Sequence, residues 1–245
     1  MVTPLDPRDY TDPYIANYSR VPPAGSGVCP VCHSGPHLGL TICSSCVQTM
    51  GQVTQPTDLV VPISLYEVQG QLWHTLRYYK DGPTEDTRRN FGTHVAATLA
   101  RFLDRHRGCI ERRMQSPFTV VTTVPSSGSR AGIHPLETAV RRVSSISALY
   151  RTTLRKGPVP ITHNSANDRG YEVVTPVSGE HILLIEDTFT SGARTQSAAS
   201  ALQLAGATEV AVLVVGRVIY PSWNDACSAI WAARHPFTFD RCCLE

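Results

Sequence analysis

A chain of 245 residues is long enough for one ordinary domain with a small accessory, and it can bury a core without a disulfide framework. Apolar residues at 42% and charged residues at 17% exclude a wholly disordered chain, and 22 basic against 20 acidic residues are too balanced for a bulk nucleic-acid binder. No apolar run reaches the roughly 18 residues of a membrane span, and the first thirty residues hold charges and prolines where a leader would be apolar. The expectation is a cytoplasmic protein with no membrane partner.

Residues 1–27 are rich in proline and aspartate and show neither helical nor alternating periodicity. They read as an extended or disordered arm, or one draped over the body. Residues 28–50 form a cysteine module in which Cys29, Cys32, Cys43 and Cys46 give C-x2-C-x10-C-x2-C. Two-residue spacing lets both thiolates of a pair face one ion, and two such knuckles complete a tetrahedral four-sulfur site for structural zinc. Full coordination leaves no open position for catalysis. His33 and His37 are spare donors expected to face solvent. Cys109, Cys227, Cys242 and Cys243 read as ordinary buried thiols, the adjacent last pair being oxidation-prone if exposed.

The body runs from 59 to 220, with a tail at 221–245. Residues 59–66 read as a strand that Pro62 restricts to an edge or breaks. Cationic Arg77, Lys80, Arg88 and Arg89 are read most simply as a solvated helical face, with contact to nucleic acid as the alternative. A helix is expected over 85–107, stopped at Gly108, and the β-branched stretch 118–124 reads as a buried strand. A Ser/Gly-rich loop, PSSGSRAG, then leads into a helix at 135–149. The basic segment with Arg151, Arg155, Lys156 and Arg169 reads either as a mobile hood over a ligand or as a solvated loop. A strand at 181–185, a small-residue helix capped by Gly206 and a strand at 209–215 complete the pattern. Strand, helix and strand in short succession imply a right-handed crossover and a parallel sheet, so the fold class is α/β.

Residues 182–195 read ILLIEDTFTSGART. A parallel strand delivers its carboxyl end to a crevice where ligands bind. The following turn and helix N-terminus offer backbone N–H groups and positive dipole, an anion cradle. Thr190 and Ser191 add hydroxyls, Gly192 allows close approach, and Glu186 and Asp187 suit ribose hydroxyls or a divalent ion. The whole suits a phosphorylated sugar. No GxxxxGK is present, which separates it from Walker loops.

This stretch resembles the phosphoribosyl pyrophosphate (PRPP) signature of type I phosphoribosyltransferases, and VPSSGSRAG resembles that family's pyrophosphate loop. The cysteine knuckles, the YEVQGQLWHTLRYYKDG stretch and NDRGYEV are similar to the ComF-type competence phosphoribosyltransferases. The resemblance covers residues 28 to 220. It implies a parallel-sheet type I phosphoribosyltransferase fold with a small N-terminal zinc ribbon. Glu186 and Asp187 would hold the ribose 2′ and 3′ hydroxyls, and Thr190, Ser191, Gly192, Ala193 and Arg194, with Thr195 beside them, would wrap the 5-phosphate. Ser126, Ser127, Gly128 and Ser129 would cradle pyrophosphate, Arg130 would neutralise its charge, and magnesium would bridge pyrophosphate and ribose.

The chain departs from the family pattern at three places. Arg194 stands where the family has threonine, RAGIHPLE replaces a more basic RGFNQ-type run, and Thr190 replaces the aspartate that serves as general base in purine salvage. Three functions stay open at this level. One is an enzyme that displaces pyrophosphate from PRPP with an unidentified nitrogen nucleophile. Another is a degenerate sensor of PRPP or a nucleotide with a protein or DNA partner. A zinc-ribbon DNA-processing accessory is the third.

Overall fold

The computed structural model describes residues 6–126 and 132–245. In chain order these hold α1 (Pro7–Thr11), α2 (Ser44–Met50), β1 (Val60–Tyr66), α3 (Gln71–Asp81) and α4 (Glu85–Arg113). There follow β2 (Val120–Thr123), α5 (Pro135–Arg141), α6 (Ser144–Ser147), β3 (Leu154–Lys156) and β4 (Tyr171–Val173). The chain closes with β5 (His181–Phe189), α7 (Ala193–Leu204), β6 (Glu209–Val218) and α8 (Asp225–Ala232). Strands β1, β6, β5 and β2 form, in that order, an all-parallel four-stranded sheet, and β3 and β4 make a separate antiparallel ribbon. The architecture is α/β. Among the described residues no helix is long and apolar enough to cross a membrane.

Both faces of the sheet are covered, which explains the near-continuous apolar runs of its strands. Val61, Ile63, Leu65, Leu183, Ile185, Leu213 and Val215 join the core built with α3, α4 and α5. Their sequence neighbours Val60, Ile182, Leu184, Val212 and Val214 join α7 and the four knuckle cysteines on the opposite face. The two-residue period of a pleated strand thus divides the molecule into two cores.

Several elements depart from the sequence reading. Residues 6–27 are draped over the body, docking on α4, but they hold α1 and a 3-10 turn at Asp12–Asn17 where the sequence shows no helical periodicity. Tyr18 anchors them, its buried hydroxyl 2.6 Å from both His94 Nε2 and Thr98 Oγ1. Helix α4 runs past Gly108 to Arg113, because Cys109 and Ile110 bury beyond the glycine and outweigh its cost of about 1 kcal/mol. Acidic residues in its first turn and Arg112 and Arg113 in its last complement the helix dipole. The helix expected at 135–149 is broken into α5 and α6 at an extended Val143, and Val143 and Ile146 both reach the core. No strand forms over 29–50; the second knuckle opens α2 instead, so the cysteine module is knuckle and helix rather than a β-ribbon. The tail at 221–245 is ordered too, with α8 packed beside Ser34 and Gly35. Pro62 lies within β1 at the sheet edge, where its missing N–H is tolerated.

Candidate functional site

The strand ending in the two carboxylates is longer than its apolar run. Because β6 continues to Val218, it pairs Glu186 with Val214, Thr188 with Gly216 and Phe189 with Arg217. Glu186 and Asp187 are therefore strand residues, not the start of a loop, and the pleat sends them to opposite faces. Both are buried at 1% exposure.

Asp187 faces α3. Its Oδ2 accepts hydrogen bonds from the Tyr79 hydroxyl and the Lys80 ammonium. Burial alone would raise this carboxyl, but the Lys80 charge and the bonds from Lys80 and Tyr79 outweigh it and hold the acid below its ordinary range. Burial first, and then Asp187, push the Tyr79 phenol up, so it remains a donor.

Glu186 faces α7. Its Oε2 lies 3.4 Å from a guanidinium nitrogen of Arg194 but makes no hydrogen bond among the described residues, and Arg194 Nε is equally unsatisfied. Burial dominates over the Arg194 charge, and Glu186 is pushed up to about 7, with the Asp187 charge adding to the rise. A carboxyl whose folded pKa exceeds its unfolded value contributes stability below the unfolded value, lost as pH rises toward 7. Wild type should therefore lose stability between about pH 4.5 and 7 relative to Glu186→Gln. Parallel urea titrations of the two proteins across that range check this, and parallel pH curves would refute it.

The turn after β5 is fixed by Gly192, whose φ of +85° favours glycine and whose absent Cβ would meet the Phe189 ring at 2.5 Å. Ser191 Oγ accepts from the backbone N–H groups of Asn164 and Ala193, so this hydroxyl shapes the turn. Helix α7 starts at Ala193, and its first N–H groups have no intrahelical acceptor by construction. These parts line a cleft of 380 Å³ with Lys80, Ile161, Thr162, His163, Asp187 and residues 188–195 around it. Thr190, Ser191, Gly192, Ala193, Arg194 and Thr195 are thus brought together with Asp187, whereas Glu186 is not in this wall.

Ser126 lines a neighbouring recess of 250 Å³ with Lys156 and Tyr171. Arg194 borders both spaces and donates to the Pro125 carbonyl at 2.9 Å. Ser127, Gly128, Ser129 and Arg130 lie outside the described residues. Of the basic segment, Arg151 pairs with Glu180 and Arg155 with Glu172. The cleft is lined instead by Ile161–His163 of the same connection, residues with no sequence signal. Lys80, placed on a solvated face by sequence, is a cation of the site together with Arg194.

The four knuckle cysteines are buried and their sulfurs lie within 4.8 Å of one another. Cys32 and Cys43 sulfurs are 3.5 Å apart, close to the edge of about 3.8 Å for a tetrahedron with Zn–S bonds of about 2.3 Å. This set can hold a metal such as zinc. Arg217, buried on β6, donates to Cys32 Sγ at 3.4 Å and to the Phe189 carbonyl at 3.3 Å. It would offset the negative charge that four thiolates around a metal carry, and it ties the cluster to the turn after β5. Thr49 of α2 donates to the Ser191 carbonyl at 3.4 Å, a second tie. His33 is buried rather than solvent-facing, with Nδ1 at 2.9 Å from the Pro22 carbonyl, and His37 is exposed. No family model matches the chain, and no curated protein matches it.

Proposed function

We propose that the protein binds PRPP and is a phosphoribosyltransferase-like enzyme of the type I fold. The observation that carries this reading is the succession of a buried carboxylate, Asp187, a glycine-shaped turn and a helix N-terminus at the carboxyl end of a central parallel strand, bordering one cleft, with Glu186 buried on the opposite face of the strand. In that reading the backbone N–H groups of residues 190–195 hold the 5-phosphate, while Asp187 holds a ribose hydroxyl through a geometry kept rigid by Tyr79 and Lys80. The orphan Glu186 Oε2 fits a second hydroxyl donor or a cation. Magnesium, when bound with PRPP, would supply charge neutralisation of the departing pyrophosphate. The bond from ribose C1 to pyrophosphate breaks, a nitrogen nucleophile forms the new bond to C1, and pyrophosphate carries away the electron pair. No residue need act as nucleophile.

A second reading, a PRPP or nucleotide sensor without turnover, draws on Arg194. Its guanidinium reaches toward Glu186 and the Pro125 carbonyl and bridges the two recesses where substrate would lie. A DNA-processing role is the further alternative, tested by salt-dependent DNA binding.

Calorimetry with PRPP and magnesium on wild type and on the double variant Glu186→Gln, Asp187→Asn tests the site. Affinity should fall about ten- to a hundredfold, corresponding to about 1–3 kcal/mol for lost charged hydrogen bonds. Unchanged affinity in the double variant, or no PRPP binding by wild type, rejects the proposal. Pyrophosphate release with candidate amines, bases and ammonia separates enzyme from sensor.

A further inference from the structure

The tail returns to the far end of α4 and brings a second set of metal-type donors together. We propose that His106, Cys109, Cys242 and Glu245 form a second metal site, of structural zinc type, that clips the tail to α4. His106 and Cys109 are three apart on α4 and so share a helix face, and Cys242 and Glu245 are three apart in the tail turn. The four donor atoms lie within 4.8 Å of one another. His106 Nδ1 is 3.8 Å from Cys109 Sγ and 3.9 Å from Glu245 Oε1, and Cys109 Sγ is 3.6 Å from that oxygen. Tetrahedral zinc with bonds of about 2.2 Å has edges of about 3.6 Å, so three donors already trace one face of the coordination shell.

The surroundings orient these donors as a metal site requires. His106 Nε2 lies 2.8 Å from the Phe239 carbonyl, which can only accept. The proton is therefore on Nε2, and Nδ1 presents its lone pair to Cys109 and Glu245. Cys242 N–H donates to Glu245 Oε2 at 3.2 Å, which leaves Oε1 toward the other donors. Arg112 donates to Cys109 Sγ at 3.3 Å and supplies a positive charge beside two thiolates and a carboxylate. His106, Cys109 and Cys242 are buried. Nitrogen, two sulfurs and a carboxylate oxygen match a borderline ion such as zinc better than a hard one such as magnesium. Four protein donors close the shell, so the role is structural.

The clip would fasten the segment that seals the first core. Phe237 and Phe239 pack at 5.0 and 6.2 Å from the Tyr18 ring, and Arg101 lies 4.4 Å over Phe239. One ion would thereby hold tail, α4 and the N-terminal residues around Tyr18 in register.

Metal analysis of the whole chain, purified under reducing conditions with zinc present, tests this independently of PRPP binding. Wild type should carry two equivalents and Cys242→Ser one, with the Cys29 cluster still filled. Cobalt loading gives a second readout that does not depend on stability: the thiolate-to-cobalt absorption should lose the contribution of a two-sulfur site in Cys242→Ser. Metal content and cobalt spectrum unchanged by Cys242→Ser would overturn the proposal. So would a Cys109–Cys242 disulfide found by peptide mapping of the reduced preparation.

Discussion

Preventing the Cys29, Cys32, Cys43 and Cys46 cluster from holding a metal is expected to unfold far more than residues 28–50. These sulfurs are part of the core on the α7 side of the sheet, beside Val60, Ile182, Val212 and Val214. Four buried thiols without an ion lose their common partner, and Arg217 is left buried beside them. Structural zinc contributes about 10–16 kcal/mol of apparent binding energy in small zinc domains. That is comparable to the whole stability of a typical domain, about 5–15 kcal/mol. Chelation or Cys43→Ser should therefore abolish the cooperative thermal transition. Hydrogen exchange should show protection lost along β5, β6 and the turn at 189–192, because Arg217 and Thr49 link the cluster to Phe189 and Ser191. Protection lost only over 28–50 would show the module to be an independent appendage.

Lys80→Met is expected to destabilise the protein by about 3 kcal/mol near neutral pH, the scale of a buried charge that loses its partner. The Lys80 side chain is 23% exposed and Asp187 1% exposed, so the cost falls on the carboxylate, which is nearly buried at the cleft wall and keeps the Tyr79 hydroxyl as a donor. The pH dependence follows from the sign of the Asp187 shift. In wild type its folded pKa is depressed, so the pair stabilises above the unfolded pKa and this is lost as pH falls through the folded one. Without Lys80 the acid can take up a proton instead, and the penalty of the variant should shrink from pH 8 toward pH 5. Urea midpoints of both proteins at the two pH values measure this. An equal difference at both would place Lys80 in packing rather than charge.

The variant should also weaken PRPP binding if Asp187 holds ribose, because Lys80 and Tyr79 fix that carboxylate. Lys80 and Trp73 line a further cleft of 310 Å³ with Tyr66 and Tyr220, which adjoins Thr188 and Thr190. An acceptor with a flat ring would find aromatic walls there.

Much of this was legible in the order of residues. Alternating sheet elements follow from VVPISLY, FTVVTTV, HILLI and EVAVLVV, since long β-branched runs separated by helical periodicity bury on both sides. The two CxxC pairs announce a four-sulfur set because knuckle spacing is a local property. The glycine-shaped turn before α7 was likewise readable, as backbone conformation at Gly192 is dictated within a few residues.

The features that depend on particular partners distant in sequence were hidden. Strand β5 extends through Glu186 and Asp187 only because β6 supplies partners to Val218, and that extension alone sends the two carboxylates to opposite faces. Lys80 looked solvated because its counter-charge lies 107 positions away in Asp187. Helix α4 outruns Gly108 because burial of Ile110 outweighs local propensity. Four scattered residues, His106, Cys109, Cys242 and Glu245, have no spacing motif across the gap that separates them. Local sequence sets dihedral preference and hydrophobic period over a few residues, whereas charge pairing and ligand convergence depend on three-dimensional distance, which only the folded chain defines.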